Sequence, residues 1–168
     1  MYLKSFKLIK EKAKMIKINV ILSNILWKKY LKNPEVFFKK KLRLLNKKNE
    51  YYKKKTLICS LLLSDSQEIK KLNKKFRGKS KATDILSFPF YEKKSFINCL
   101  KKEKEIYIGD IIINLKKIKY KKDRIKFEND FNKLWVHGLI HLFGYKHKTN
   151  KDFNTMHEVE KKYLSFIK

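Results

Sequence analysis

The residues of this chain that are best suited to chemistry are three histidines near its C-terminal end, His137, His141 and His147. His137 and His141 are four residues apart, so a helix would present both imidazoles on one face, one turn apart. Gly144 predicts the end of that helix, because glycine readily adopts the left-handed conformation common at helix C-termini. Beyond that turn the chain can fold back and bring His147 to the same point. Three neutral imidazoles, with a fourth position left to water, are typical of a catalytic zinc site.

The same spacing, HxxxHxxGxxH, occurs in metzincin proteases, in which a glutamate follows the first histidine and acts as general base. Here Gly138 occupies that position, so the base required for peptide hydrolysis is missing. A bound zinc ion would still lower the pKa of its own water toward neutrality and make hydroxide. A phosphodiester attacked in this way needs a cation to hold its charge, not a glutamate beside the metal.

Arg77 is the candidate for that cation, because a guanidinium can bind phosphate through two parallel hydrogen bonds and an ammonium cannot. Gly78 beside it would allow a substrate backbone to approach closely. Glycine occurs only four times, so Gly78 and Gly109 are also candidate functional turns. The competing interpretation of Arg77 is a structural ion pair with a carboxylate such as Asp84 or Asp110, and the sequence leaves both open.

The net charge of +28 predicts a polyanionic partner, with nucleic acid first among the candidates. Of the 44 basic residues, however, all but three are lysine; the arginines are Arg43, Arg77 and Arg124. A coding bias toward lysine, spread over solvated faces, would produce the same excess. The charge therefore supports an RNA or DNA partner, and this alternative stays open.

Length and composition indicate one domain, because 168 residues with 43% hydrophobic content can bury a sizeable core. No apolar run reaches about 18 residues and no cleavage site follows the N-terminal segment, so we expect neither a membrane span nor a signal peptide. Cys59 and Cys99 match no metal or redox spacing and are expected to be reduced thiols in a cytoplasmic protein. Residues 1–14 are predicted to be a lysine-rich extension of a catalytic domain over 15–168, and Met15 is a candidate for the true start.

Hydrophobic periodicity predicts the elements that must position these residues. Strands are predicted over residues 15–22, 56–63, 83–88 and 106–113. Helices are predicted after Asn24, from Pro34, over 64–76 and 114–122, from Phe127 or Asn129 through Leu142, and from Asn150 or Asp152 onward. Loops are predicted over 47–55 and 91–105. The pattern predicts an α+β fold: a single layered domain with a small mixed β-sheet packed by helices, and a metal site at the C-terminal end of a long helix.

Three segments of the chain together resemble the YbeY family, and they come in the family's order. They are residues 72–89 with Arg77-Gly78-Lys79, residues 108–112 with Ile-Gly-Asp, and residues 137–147 with the histidines. Met156 and Glu160 also fit the family's tail. The resemblance extends from about Met15 to the end of the chain. It implies a single-strand-specific, metal-dependent endoribonuclease that matures the 3′ end of small-subunit ribosomal RNA and acts in ribosome quality control.

The resemblance also implies roles for individual residues. It makes His137, His141 and His147 the ligands of one zinc ion per chain, and Arg77 the catalytic arginine. The implied partners are ribosomal RNA, the small ribosomal subunit, ribosomal proteins and a ribosome-assembly GTPase.

The chain departs from the family pattern at three positions. Lys146 stands where the family usually has an aspartate, so a group that could orient a ligand is replaced by one that would contact phosphate. Ser80 and Ala82 replace residues that are more often acidic and proline. The fourth histidine, His157, is expected to have a surface or helix-packing role.

Two other functions remain open at this point. A metallopeptidase would cleave an unfolded protein, would be blocked by a chelator and would leave RNA untouched. A non-catalytic ribosome-assembly factor, with a metal that only stabilises the fold, would bind RNA tightly and in a salt-sensitive way without cleaving it.

Overall fold

A four-stranded mixed sheet lies at the centre of the computed structural model, which describes residues 15–50 and 54–168. Its strands are β1 (Ile16–Leu22), β2 (Thr56–Ser64), β3 (Ile85–Pro89) and β4 (Glu105–Asn114). They lie in the order β1-β2-β4-β3, with the first three of these parallel and β3 antiparallel to β4. The short strand β3 is therefore an edge of the sheet. The predicted α+β fold with a small mixed sheet is confirmed.

The described residues also form α-helices and two short 3-10 helices. The α-helices are α1 (Pro34–Lys48), α2 (Ser66–Arg77), α3 (Lys93–Lys102), α4 (Arg124–Leu142) and α5 (Asn150–Phe166). The 3-10 helices span Ile25–Lys29 and Leu115–Lys117. Polar side chains cap the N-termini of most of these helices; Asp65, for example, accepts the backbone N–H groups of residues 67 and 68 at the start of α2. Within the described ranges, no helix is both long and apolar enough to cross a lipid bilayer.

The two faces of the sheet are covered by different helices. Side chains alternate between faces along a strand, so Ile111 and Ile112 mark opposite sides of β4. Ile111 belongs to the large core in which α1 and α4 pack on the sheet, and α5 packs against both helices. Ile112 belongs to a smaller cluster with Ile69 of α2 and Leu86 of β3. The helix predicted to carry the metal site thus lies in the larger of the two layers.

Aromatic side chains fix α4 within this larger layer. Phe131 and Trp135 of α4 are fully buried, and the ring of Phe38 in α1 lies 5.8 Å and 5.4 Å from theirs. Trp27 packs on Phe131 as well, and its indole N–H donates to the backbone oxygen of Ser64 at 2.9 Å. Large buried rings occupy few alternative positions in a close-packed core, so α4 is held firmly along its length.

Gly138 allows α4 to lie close to the sheet. A Cβ atom at this position would lie 2.8 Å from Ile111 Cγ2 and 3.0 Å from Ile85 Cδ1. Both distances are shorter than van der Waals contact, so a larger residue would push the helix away from β3 and β4. A glutamate at position 138 would have its Cβ atom on the side of the helix that faces the sheet. Close packing of the helix on the sheet therefore explains why this position carries no glutamate base.

Several predicted elements differ from the structure in their type. The predicted loop over 91–105 contains α3, in which lysines at both ends flank an apolar centre and only Phe96 is completely buried. The predicted helix over 114–122 is wrong: only the 3-10 turn at 115–117 forms, and the chain then takes a positive φ of 55° at Tyr120. The helix predicted after Asn24 is a single 3-10 helix, although Asn24 caps it as expected.

Other predictions differ in where elements begin. The helix α4 starts at Arg124 rather than at Phe127 or Asn129, because the Asp123 carboxylate accepts the N–H groups of residues 125 and 126. The last helix starts at Asn150, one of the two predicted positions. Helix α1 continues to Lys48, two residues into the predicted 47–55 loop, part of which lies outside the described residues. The predicted 1–14 extension lies outside the described residues, and the start at Met15 stays a prediction.

The two glycines predicted to mark functional turns have different roles. Gly78 ends α2 in the left-handed conformation with φ of +67°, so a turn is present there. The turn predicted at Gly109 is wrong, because Gly109 lies inside β4. Its φ is +132°, and a Cβ atom would come within 2.2 Å of the backbone oxygen of Phe88. Glycine is needed at 109 for the close pairing of β3 with β4.

We predict that Gly138→Ala will lower the free energy of unfolding by about 1–3 kcal/mol, because the added methyl group overpacks the contact with Ile111 and Ile85. Urea denaturation of the variant would measure this loss. Asn129→Ala is the matched control, because Asn129 is exposed on the same helix, and it should change stability by less than about 0.5 kcal/mol. Equal stability of the two variants would contradict the tight helix–sheet contact.

Candidate metal centre

The three histidines meet beside the C-terminal end of α4. The Nε2 atoms of His137 and His141 are 3.0 Å apart. The ring centroid of His147 lies 5.7 Å from that of His137 and 5.0 Å from that of His141. One ligand atom from each ring lies within 4.8 Å of the other two, so the group could hold a metal ion. In the part of the chain that the structure describes, this is the one such group of three or more His, Cys, Asp or Glu side chains.

A glycine turn brings the third histidine to the other two, as the sequence predicts. Gly144 has a φ of +86°, and its N–H donates to the backbone oxygen of His141 at 2.9 Å. The chain then reverses and delivers His147. A Cβ atom at Gly144 would lie 3.2 Å from Lys93 Cα, so the turn also packs closely against the start of α3. The position of His147 therefore depends on α3, which was predicted to be a loop.

Two of the rings are held through their outer nitrogen atoms. His137 Nδ1 lies 2.5 Å from a carboxylate oxygen of Glu160, and His141 Nδ1 lies 2.9 Å from the backbone oxygen of Tyr145. Both partners are acceptors, so both Nδ1 atoms carry the proton and donate it. A neutral imidazole protonated on Nδ1 keeps a lone pair on Nε2. In the neutral form of both rings, which is the form that binds a metal, two lone pairs face each other across 3.0 Å, and a cation between them would replace their repulsion with attraction.

The spacing of these nitrogen atoms suits a small metal ion. Two bonds of about 2.0–2.1 Å at a tetrahedral angle place ligand nitrogen atoms roughly 3.4 Å apart. The observed 3.0 Å between the Nε2 atoms of His137 and His141 needs only a slight opening to reach that value. The residues present therefore fit an ion that binds imidazole.

Glu160 is the site residue whose role the sequence did not reveal. The resemblance places it only in the family's tail, yet its carboxylate orients His137 from α5. A signal was available, because Glu160 follows the buried Met156 by one helical turn and precedes the buried Tyr163 by three residues. A carboxylate on the inward face of an amphipathic helix needs a partner, and here that partner is a ring nitrogen.

The environment of His141 keeps its ring neutral. Burial lowers the pKa of His141 below its ordinary value, and the neighbouring His137 and His147 lower it further. The hydrogen bond to the Tyr145 oxygen acts in the opposite direction without reversing the shift. A neutral ring is the form that binds a metal, so His141 is available as a ligand at neutral pH.

A cleft of about 670 Å³ extends from the histidines to the edge of the sheet. Its walls are formed by the edge strand β3, by the start of α3 and by the turn after α4, and Lys146 lines it beside His147. Arg77, at the end of α2, lines the same cleft. The fold therefore brings together the four residues that were singled out from distant parts of the sequence.

Arg77 is held by the edge strand. Its Nη2 atom donates to the backbone oxygen of Ser87 at 3.0 Å, and its guanidinium lies 5.7 Å from the centre of the Phe88 ring. Arg77 forms no ion pair within the described residues, so the alternative of a structural pair with Asp84 or Asp110 is wrong. Asp84 instead accepts from Thr83 Oγ1 and from the Ile85 N–H, both at 2.9 Å.

The remaining histidine and the two cysteines lie outside the group. His157 is exposed on α5, and its ring stacks on Phe153 with 5.8 Å between centroids, in line with the expected surface role. Cys59 and Cys99 are both free. Burial raises the pKa of the Cys59 thiol to about 12, so it is not a thiolate ligand at neutral pH.

We predict that Glu160→Gln will weaken Zn²⁺ binding about 10- to 100-fold, because an amide orients the His137 ring less strongly than a carboxylate. Competition with a chromophoric chelator at pH 7.5 would measure the affinity. Glu158→Gln is the matched control: Glu158 is exposed on the same helix and pairs with Lys161, so Zn²⁺ affinity should not change. Equal affinities in the two variants would show that Glu160 does not support the site.

We also predict that the metal-free protein will lose stability as the pH falls below about 6.5, the ordinary value for histidine. The pKa of His141 is lower in the folded state than in the unfolded state, so below that pH the unfolded chain binds the proton more readily. Thermal unfolding between pH 7.5 and 5.5 would show a larger drop in Tm for the native chain than for His141→Asn. His157→Asn should keep the native pH dependence, and an unchanged dependence in His141→Asn would refute the assignment.

Comparison with known proteins identifies relatives over most of the chain. The family model described as Endoribonuclease YbeY matches residues 24–168. The Endoribonuclease YbeY of Pelagibacter ubique is 40% identical over 156 residues, which cover 92% of this chain and 97% of the relative. That of Thermodesulfovibrio yellowstonii is 35% identical over 132 residues, with 77% and 76% covered.

A solved structure agrees with these relatives. The solution structure of TM1509 from Thermotoga maritima has a TM-score of 0.56 and 26% sequence identity, and the match covers 90% of this chain and 89% of that one. The residues matched by the family model include Arg77, Gly109 and the three converging histidines. The chain therefore belongs to the YbeY family of endoribonucleases.

Proposed function

We propose that this protein is a zinc-dependent endoribonuclease that cleaves single-stranded RNA. Its proposed role is in ribosomal RNA processing, at the 3′ end of the small-subunit RNA, and in ribosome quality control. One observation carries the proposal: a single cleft is lined by three converging imidazoles and by an exposed arginine. The relatives named Endoribonuclease YbeY support the reaction class.

The donor set supports zinc as the metal. Three imidazoles with room for a further ligand are typical of catalytic zinc sites, and no thiolate or carboxylate takes part in the group. When bound there, zinc supplies a Lewis acid and lowers the pKa of a water molecule toward neutrality. His137, His141 and His147 would hold the ion. Glu160 and the Tyr145 backbone oxygen would keep two of these rings in the tautomer that binds metal.

Arg77 would bind the scissile phosphate. The bond from Nη2 to Ser87 fixes the plane of the guanidinium, and its remaining N–H groups donate to no described residue. These groups can donate to a non-bridging phosphate oxygen, whose negative charge grows as the water oxygen bonds to phosphorus. The bond from phosphorus to one ribose oxygen would then break, and that oxygen would take up the proton that the water lost, so that one water molecule is consumed overall. The arginine would therefore stabilise the transition state more than the bound substrate.

Lysines near the cleft would supply attraction for the RNA backbone. Lys93 and Lys146 line the cleft with the histidines, and the chain as a whole carries a net charge of +28. Lys146 would contact a phosphate beside the scissile one, in place of the family's usual aspartate. Binding of this kind is weakened by salt, because each phosphate contact releases counterions.

The proposed partners are the small ribosomal subunit with its RNA, ribosomal proteins and a ribosome-assembly GTPase. The proposed location is the cytoplasm, where ribosomes are assembled. Immature small-subunit RNA is the natural substrate to test, because cleavage there would shorten its 3′ end.

We predict that protein carrying about one zinc ion per chain will cleave a single-stranded RNA oligonucleotide and that a chelator will stop the reaction. Arg77→Ala should lower kcat about 10²- to 10³-fold, because a group that stabilises transition-state charge is lost. Arg43→Ala is the matched control, since Arg43 is exposed on α1 and does not line the cleft, and its kcat should match that of the native chain.

Three outcomes would contradict the proposal. Undiminished cleavage by both Arg77→Ala and His141→Ala would assign the activity to a contaminant. Tight, salt-sensitive RNA binding that survives Arg77→Ala, with no cleavage product, would favour the assembly factor. Chelator-sensitive cleavage of an unfolded protein, with RNA left intact, would favour the peptidase.

A further inference from the structure

Two aromatic side chains, Phe90 and Tyr91, line the cleft beside the histidines, and a third, Tyr107, packs against Phe90. The Phe90 ring lies 5.0 Å from the ring of Tyr91 and 5.9 Å from the ring of Tyr107, measured between centroids. We refer to these three side chains as the aromatic shelf. Phe90 is 65% exposed and Tyr107 is 37% exposed, while Phe90 and Tyr91 line the cleft together with the histidines. A phenylalanine exposed to this extent beside a charged cleft indicates a binding surface.

The backbone positions the shelf through an irregularity in β4. Ile58 pairs with Tyr107 but the next residue of β2 pairs with Gly109, so β4 bulges between them. Beyond β3, the Phe90 N–H donates to the Ile108 backbone oxygen at 3.0 Å. This bond continues the β3–β4 pairing past Pro89 and places Phe90 directly beside the bulge. Gly109 permits the close approach, because any Cβ there would overlap the Phe88 oxygen.

The Tyr107 ring is fixed by its hydroxyl group. The hydroxyl donates to Asp110 Oδ1 at 2.6 Å and lies 3.1 Å from Ser60 Oγ. Burial and the hydrogen bond to Asp110 raise the pKa of Tyr107, so the hydroxyl stays protonated. A ring that is already held in place loses little conformational entropy when a ligand covers it, which favours binding.

We propose that Phe90, supported by Tyr91 and Tyr107, stacks an unpaired base of the RNA whose scissile phosphate lies at the three-histidine centre. This inference rests on the proposed function and adds a base-binding subsite to it. Stacking on an aromatic ring strengthens binding about 5- to 100-fold per base and tolerates any sequence. A base in a duplex is already stacked and paired, so it must leave the helix to reach Phe90. The shelf would thus contribute to a preference for single strands.

The test compares RNA oligonucleotides that each lack one base, with zinc-loaded protein. For the native chain, one abasic position near the cleavage site should raise KM about 5- to 100-fold relative to the intact oligonucleotide. Phe90→Leu should raise KM for the intact oligonucleotide by a similar factor, and the abasic position should then have no further effect. The effects of Phe90→Leu and of the abasic position on KM would then not add, which is expected only if the Phe90 ring contacts that base.

Two further variants separate stacking from folding. Phe90→Trp keeps an aromatic face and should restore both the native KM and the abasic effect. Phe153→Leu removes another exposed ring, 56% exposed and outside the cleft, and should behave as the native chain. Two results would overturn the proposed stacking on Phe90 but leave the proposed RNA cleavage intact. One is an equal KM for the native chain and Phe90→Leu, and the other is an abasic effect that persists in Phe90→Leu. Absence of RNA cleavage by the native chain would overturn the proposed function as well.

Discussion

The close contact between α4 and the sheet at Gly138 is the constraint on which the candidate site depends. An added carbon atom at that position would overlap Ile111, so the helix lies as near to β3 and β4 as a backbone without a side chain allows. At this distance the C-terminal part of α4 presents His137 and His141 to the cleft. The same edge strand holds Arg77 through Ser87. One packing distance therefore sets the separation between the proposed metal ligands and the proposed phosphate-binding group.

Much of the site could be predicted because its chemistry is local in the sequence. His137 and His141 share a helix face through their spacing alone, and Gly144 provides the reversal that brings His147 back. The fold class could be predicted because the strands are continuous apolar segments separated by helical ones. Arg77 was a harder case, because its place in the cleft depends on a hydrogen bond to β3, and the position of β3 in the sheet is fixed by its pairing with β4.

The residues that could not be predicted depend on contacts between distant segments. Glu160 reaches His137 only because α5 packs on α4, and no local pattern names its partner. The helix α3 carries Phe96, Cys99 and Leu100 at helical spacing, so a local signal was present although the segment was predicted to be a loop. Its contact with the Gly144 turn, by contrast, joins distant segments and has no local signal. The bulge in β4 that positions Phe90 depends on a register shift between two strands, which composition does not reveal. The net charge has two explanations, a polyanionic partner and a coding bias toward lysine. The lysines that line the cleft support a polyanionic partner more directly than the total charge does.

The hydrogen bond between Arg77 and Ser87 has a consequence for association between molecules. Strand β3 is an edge of the sheet, and an open edge offers free backbone groups on which a strand of another chain can assemble. Arg77 occupies one of those acceptors and places a positive charge beside it. The arginine therefore hinders the addition of another strand at this edge. Its other N–H groups face the cleft. The same side chain would then serve both the protection of this edge and the proposed phosphate contact, and a neutral replacement would weaken both.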